Sequence, residues 1–412
     1  MTHNIDTEVL VVGAGLLGSS TAMHLASMGA RSVDIVDLDL EGIFSSSELN
    51  AGGVRATWAS PINAQLSRVS IDYYEKIAAE IGFRQKGYFW MYSKEAWPNA
   101  HALLKENKDL DSLRIEYLSP AEVTQRFSFL DKTDDLGGAT FSPKDGLLNA
   151  NLLKNHFRNR ARENHARFHN RVWIHRAEVS TDQTIELCAW VWPEAMNPDE
   201  IKRILTIEQS AGECPRGAKA VKLRAQKIVN CSGAWAKRFA QSMGMRSVSQ
   251  AVRRQVSVFE CKEVDLTSYG MFVDASGVYF HPEANYILAG YAVPEEPEGY
   301  NFDYEGESFF EQYIWAPLFN RSTKFEALKH VTGWAGLYEV SPDRNGIVGR
   351  VAGFENVFEA HSFSGRGAMQ SYGAGLGLAE LIVKGKYRTL DLSAMSGSRF
   401  ESGNTLTEGM LI

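Results

Sequence analysis

Cysteine is scarce in this chain: Cys188, Cys214, Cys231 and Cys261 are the only four in 412 residues, and no two form a C-x-x-C pair. That excludes a disulfide-stapled scaffold and a zinc ribbon and leaves structural thiols. The ten histidines form no H-E-x-x-H or H-x-H cluster, so no metal site is expected. No apolar run reaches the roughly 18 residues that a membrane-spanning helix needs. Basic residues do not cluster and the formal net charge is −7, which argues against a nucleic-acid partner. The start, MTHNIDTE, is polar and runs straight into an apolar stretch, so no signal peptide is read there and a cytoplasmic location is expected. What remains is an ordinary globular composition, 44% hydrophobic and 23% charged, in a chain long enough for two or three units.

The first informative stretch is VLVVGAGLLGSSTAMHLASMGARSVDIVDLD, from Val9 to Asp39. A buried apolar run leads into Gly13, Gly15 and Gly18, then a helical pattern closed by Gly29, then a second strand ending at Asp37. This is a βαβ unit carrying G-x-G-x-x-G. Gly13 permits the tight turn, Gly15 lets backbone amides, with that of Leu16, approach a pyrophosphate, and Gly18 lets helix and strand pack closely. The helix start adds orphan N–H groups and a positive dipole end. Asp37, about 20 residues beyond the glycines, is placed for a ribose hydroxyl and argues against a 2′-phosphate. The motif alone leaves NAD and FAD open.

Further along, EGIFSSSELNAGGVRATW (Glu41 to Trp58) is a Ser/Gly loop in which Gly52, Gly53 and Arg55 could meet a planar or anionic ligand. A helix with Ser60 as N-cap and Pro61 at its first position follows, and Asn149 caps another. KIVNCSGAW (Lys227 to Trp235) is a buried strand breaking at Gly233. QVSVFECKE and GVYFHPEANYILAGY alternate with period two and suggest a sheet, the second as a hairpin turning at Glu283 to Asn285. The segment from Ser180 to Lys222 reads as a long excursion without a functional reading. Near the end, HSFSGRGAMQSYGAGLGLAELIVKG is strand, glycine-rich loop and helix. The loop from Ser364 to Met369 presents successive amides at a helix start, a second nest for negative charge. FAD has two electron-rich ends, pyrophosphate and flavin; NAD needs no second nest.

Together VVGAGLLG, NAGGVR, NCSGAW, GWAGLYEVSPDRNGIVG and FSGRGAM resemble the D-amino-acid oxidase superfamily of flavoproteins, in the branch with sarcosine oxidase, glycine oxidase and dimethylglycine dehydrogenase. The resemblance implies an α/β fold: a Rossmann-like FAD-binding domain (residues 1–82, 145–245 and 331–412) interleaved with an α+β substrate domain on a mixed sheet (83–144 and 246–330). It implies that Gly13, Gly15, Leu16, Gly18 and Asp37 hold the ADP half, with Val172 on the adenine side and Gly233 and Trp235 after a cofactor-contacting strand. Ser46, Gly52, Gly53, Val54 and Arg55 would line the flavin, and Gly365, Arg366, Gly367, Ala368 and Met369 its pyrimidine edge. The implied reaction removes a hydride from the carbon beside an amine nitrogen of a secondary or N-methylated amine or amino acid.

Departures from the pattern carry the rest. Trp58 and Met369 stand where sarcosine oxidases have the arginine and lysine that bind the substrate carboxylate, so Arg366, Arg254 or His281 would have to substitute. Leu288 stands near the lysine that activates oxygen, which favours a dehydrogenase with a separate electron acceptor. Gly336 stands near the cysteine that tethers flavin in some members, and GGVRATW has no histidine, so FAD is expected noncovalent. Tyr338, His281 and Arg366 are the candidate catalytic residues, Tyr279 and Trp58 a possible aromatic wall, and Asp343 a turn residue. A flavin-dependent 2-hydroxy acid dehydrogenase and a flavin-containing assembly or electron-transfer partner without turnover are the alternatives.

Overall fold

A computed structural model describes residues 5–180, 184–206 and 214–409. Strand Asp6–Val12 lies at the centre of the first sheet, and its run of apolar residues is explained by burial on both faces. Val9 and Val11 face a helical layer, whereas Leu10 and Val12 face a second cluster with Val172, Ile174 and Leu187. The sheet order is Ile347–Arg350, Val357–His361, Lys219–Asn230, Asp6–Val12, Val33–Val36 and Arg167–His169. All neighbours are parallel except the first pair. The helical layer consists of Leu16–Ser27, Pro61–Lys76, Ala150–Glu163 and Gly367–Lys384, whose apolar faces share one core.

The excursion after Ser180 folds back on this sheet. Strands Val172–Val179 and Ile185–Val191 form an antiparallel pair that continues onto Lys219–Asn230, and helix Pro198–Thr206 packs Ile201 and Leu205 against Trp190, Trp192 and Leu38.

The second sheet has eight strands in the order Lys329–Val340, Gln250–Glu260, Tyr286–Tyr291, Tyr279–Glu283, Met271–Val273, Tyr88–Ser93, Leu136–Ser142 and Glu116–Leu118. It is mixed, because Met271–Val273 runs parallel to Tyr88–Ser93. Alternation sorts its faces: Phe89, Phe272 and Phe280 enter an aromatic core, while Tyr88, Met271 and Tyr279 face the first domain. The strand Lys329–Val340 belongs wholly to this sheet, so a division at residue 331 cuts through it; the pairing extends this unit to Val340.

Of two local expectations, one changes and one holds. Ser60 is the N-cap residue but its side chain makes no capping bond; its N–H and that of Ala59 are held instead by the Glu408 carboxylate. Asn149 does cap its helix, accepting from the N–H groups of Asn151 and Leu152, both at 3.0 Å.

Candidate active site

Two cavities meet between the sheets. The larger, about 600 Å³, runs from the first glycine turn past the excursion to the second sheet. The smaller, about 100 Å³, lies beyond it, and Asn50, Ala51, Arg254, Tyr279, Tyr338 and Gly365 line both.

The first end is built from backbone. Gly13 has φ +97°, and a Cβ there would lie 2.3 Å from the carbonyl oxygen of Cys231; one at Gly18 would lie 1.9 Å from the Gly13 oxygen. Gly15 is the N-cap of Leu16–Ser27 and has no side chain to cap with, and no acidic residue occupies the first turn, so apart from the Leu16 N–H, which donates to Ser47 Oγ, the helix start is open to an anion. Asp37 accepts from the N–H of Ala14 at 2.6 Å and of Asp39 at 3.0 Å, and burial pushes its carboxyl pKa up.

The second nest sits at the other end. Ser362, Ser364 and Gly365 have φ of 60°, 51° and 89°, so the backbone curls before helix Gly367–Lys384. That helix also lacks a side-chain cap, and a Cβ on Gly367 would meet nothing within 4 Å. Two open helix starts at opposite ends of one long cavity fit a dinucleotide with a charged middle and an electron-rich head.

Of the sequence-predicted residues, Gly13, Gly15, Leu16, Asp37, Ser46, Val172, Gly233, Trp235, Gly367 and Ala368 line the larger cavity. Gly53, Arg55, Arg366 and Met369 line the smaller, and Tyr338 and Gly365 line both. Four do not line either. Gly18 serves helix–strand packing. Gly52, at φ +76°, lets the chain pass 2.4 Å from where its Cβ would meet the Leu148 oxygen, and Val54 is buried in a short pairing with Gly146.

His281 is the clearest correction. It shares a sheet face with Tyr279 but lies two residues further along the strand, outside both linings. It is buried, Nδ1 lies 3.0 Å from the Pro282 oxygen, and desolvation lowers its pKa. Leu288 packs with Val256, Val258, Ala51, Tyr279 and Trp334.

The sequence reading missed the residues that hold the loops. Arg158, on helix Ala150–Glu163, donates to the carbonyls of Ala14 and, at 2.6 Å, Leu40. One turn earlier Lys154 donates to the Glu41 carbonyl at 3.0 Å and pairs with Glu48. Both side chains are buried, and two basic residues four apart at apolar-facing positions were the available signal. Ser47, beside the predicted Ser46, accepts from the Leu16 N–H at 3.0 Å, while Ser46 donates to the Leu337 carbonyl at 2.5 Å. The excursion adds wall to the larger cavity: His175 stacks on Trp190 at 4.1 Å, and the Leu205 carbonyl accepts from Trp235 Nε1 at 2.9 Å and Arg238 at 2.8 Å. Glu339 also lines the larger cavity, and burial raises its pKa to about 7.

The smaller cavity is built from side chains. Trp58 is buried with Arg55 stacked at 3.5 Å and Arg366 at 4.5 Å, and its Nε1 donates to Ser67 Oγ at 2.9 Å. Arg254 lies over the Tyr338 ring at 5.6 Å. Burial lowers the Arg366 pKa to about 10 and raises those of Tyr279 and Tyr338, so both phenols are neutral O–H groups.

Fold and cavities together define an FAD-binding protein with a roofed site beside the cofactor. Comparisons agree. The family model described as FAD dependent oxidoreductase (DAO) matches residues 8–381, and the chain belongs to that family. FAD-dependent oxidoreductase domain-containing protein 1 of Xenopus laevis is 27% identical over 441 aligned residues, covering 98% of this chain and 85% of that protein. Mitochondrial sarcosine dehydrogenase of Mus musculus is 23% identical, covering 92% of this chain and 40% of that protein. Among solved structures, L-proline dehydrogenase from P. horikoshii superposes with a TM-score of 0.81 at 20% identity, covering 98% of this chain and all of that one. Glycine oxidase from Bacillus cereus gives 0.71 at 17%, covering 92% and 96%.

Proposed function

We propose that the protein oxidises a secondary or N-methylated amino acid at the carbon beside its nitrogen and passes the electrons to an acceptor other than oxygen. The observation that carries this reading is the smaller cavity: among the described residues its lining contains four arginines and four tyrosines but no carboxylate and no histidine. The two helix starts would hold FAD, which would supply a two-electron hydride acceptor; the imine left on the substrate would be hydrolysed by water to a carbonyl compound and an amine.

The residues of the chain bind, orient and set a protonation state. Arg366 and Arg254 are cations placed for a carboxylate, replacing the anchors absent at Trp58 and Met369. With no side-chain base in the lining, the amine must lose its proton to water, and the surrounding guanidiniums favour that loss because they disfavour another cation. Tyr279 and Tyr338 stand where the cavities join, and their O–H groups can orient a neutral amine nitrogen or the carboxylate. The dehydrogenase reading is supported by Leu288, a buried apolar side chain packed against Ala51, Val256, Tyr279 and Trp334, which line the larger cavity.

The relatives named for sarcosine, proline and glycine oxidation support an amino-acid substrate. The test is anaerobic mixing of purified protein with N-methyl amino acids, cyclic amino acids and 2-hydroxy acids while following flavin absorbance. Bleaching by amines alone is expected. Bleaching by hydroxy acids alone would replace the reading with a 2-hydroxy acid dehydrogenase, and none with any compound would leave a flavin protein without turnover of its own.

A further inference from the structure

The smaller cavity holds more positive charge than one carboxylate compensates. Four guanidiniums line it, from Arg55, Arg254, Arg344 and Arg366. Arg55 is engaged: it donates to the Thr57 carbonyl at 2.8 Å, stacks between Trp58 and Trp90, and lies near Asp145. The other three are engaged only in part or not at all.

Arg366 is 2% exposed; its Nη1 donates to Asn345 Oδ1 at 2.8 Å, and its Nη2 is buried with no partner among the described residues. Arg254 donates from Nη1 to the Arg253 carbonyl at 2.8 Å, and its buried Nε is likewise without a partner. A donor left unmade in a buried site costs about 1–3 kcal/mol, more when charged, unless a ligand completes it. Arg344 stands exposed at the rim and makes no side-chain hydrogen bond or ion pair among the described residues. Its φ is +54°, a left-handed conformation that side chains other than Gly, Asn and Asp rarely adopt.

Of the carboxylates nearest these arginines, Asp343 is paired with Arg399 at 2.8 Å, and Glu408, which accepts from the N–H groups of Ala59 and Ser60 at 3.0 and 3.2 Å, favours the Arg366 cation. A neutral amine with one carboxylate would meet one of the two remaining guanidiniums, Arg254 and Arg344, and leave the other uncompensated. We infer that the substrate carries two carboxylates, one held by Arg366 and Arg254 inside the cavity and the other by Arg344 at its rim: an N-substituted amino dicarboxylate. The inference rests on the amine-oxidation reading for its chemistry but on the arginines for its charge.

Two measurements on the FAD-loaded protein test it. Calorimetric titration compares glutarate with butyrate, which share an apolar chain and differ by one carboxylate; glutarate is expected to bind at least tenfold more tightly, and equal affinity overturns the inference. Anaerobic flavin reduction then compares N-methylglutamate with sarcosine. Arg344→Gly, which suits the left-handed backbone, is expected to raise KM for N-methylglutamate roughly tenfold more than for sarcosine, about the effect of one removed charge contact. Equal effects on both overturn the inference, as does reduction by sarcosine but not by N-methylglutamate, which leaves amine oxidation standing. Tighter glutarate binding without reduction by any amine sinks the amine-oxidation reading and keeps the dianion site.

Discussion

The larger cavity is walled at its phosphate-sized ends by main chain, the smaller by long side chains. At Gly13 and Gly365 the architecture depends on an absent Cβ and a positive φ; at Arg254, Arg344 and Arg366 it depends on where a guanidinium ends up after six or seven bonds. A main-chain cradle fits any molecule with the right spacing of negative charge. A side-chain cradle chooses among molecules. The first therefore carries the property shared by the family, and the second carries what distinguishes this chain within it.

Substitutions separate the two. Gly13→Ala forces a methyl to 2.3 Å from the Cys231 oxygen at φ +97°, and neither atom can move without shifting a central strand. Loss of FAD by about 100-fold or more is expected, with lower stability, read from the flavin-to-protein absorbance ratio and the melting temperature. Arg366→Gln leaves the glycine turns alone; kcat/KM for a carboxylate substrate should fall about 100-fold, roughly 2.7 kcal/mol, with far less loss of FAD than in Gly13→Ala. If it loses FAD to the same degree, the separation between the cavities is wrong.

Leu288→Lys places a cation directly behind Ala51 and Tyr279, which line both cavities. Reoxidation of the reduced protein by air should speed up roughly tenfold through stabilisation of developing negative charge; an unchanged rate would remove Leu288 as the reason for a non-oxygen acceptor. The remaining effect, at Glu339, is on stability and not on either cavity's ligand. Its folded pKa is about 7 against a usual 4.5, because burial penalises the carboxylate. The folded state therefore holds the proton more tightly, its contribution is complete below about pH 4.5, and stability declines as pH rises towards about 7. The loss is at most about 3 kcal/mol, and Glu339→Gln should flatten the melting temperature between pH 5 and 8, an interval chosen to bracket about 7 in the flavin-free protein.

The same contrast explains what was legible before the structure. Gly13, Gly15, Gly18 and Asp37 are spaced by local geometry, so a run of thirty residues discloses their arrangement. The double-sided burial of Val9 to Val12 and the alternation in Tyr279–Glu283 followed from periodicity. His281 was misplaced because alternation tells which face a residue takes but not how far along the strand a cavity reaches. Arg158 and Lys154 were missed because their partners, the carbonyls of Ala14, Leu40 and Glu41, lie more than a hundred residues away in sequence. Arg344 carried no helix or strand signal at all; its left-handed φ exists only in the folded turn.

The excursion beside the larger cavity bears on residence time as well as on shape. Helix Pro198–Thr206 is tied down by the two bonds to the Leu205 carbonyl and by a small apolar patch around Trp190 and Leu38. Leu205 and Trp190 also line that cavity, so a molecule held there loses part of its wall whenever this helix opens locally. Weakening these contacts, without touching a single glycine, should shorten the time that FAD stays bound.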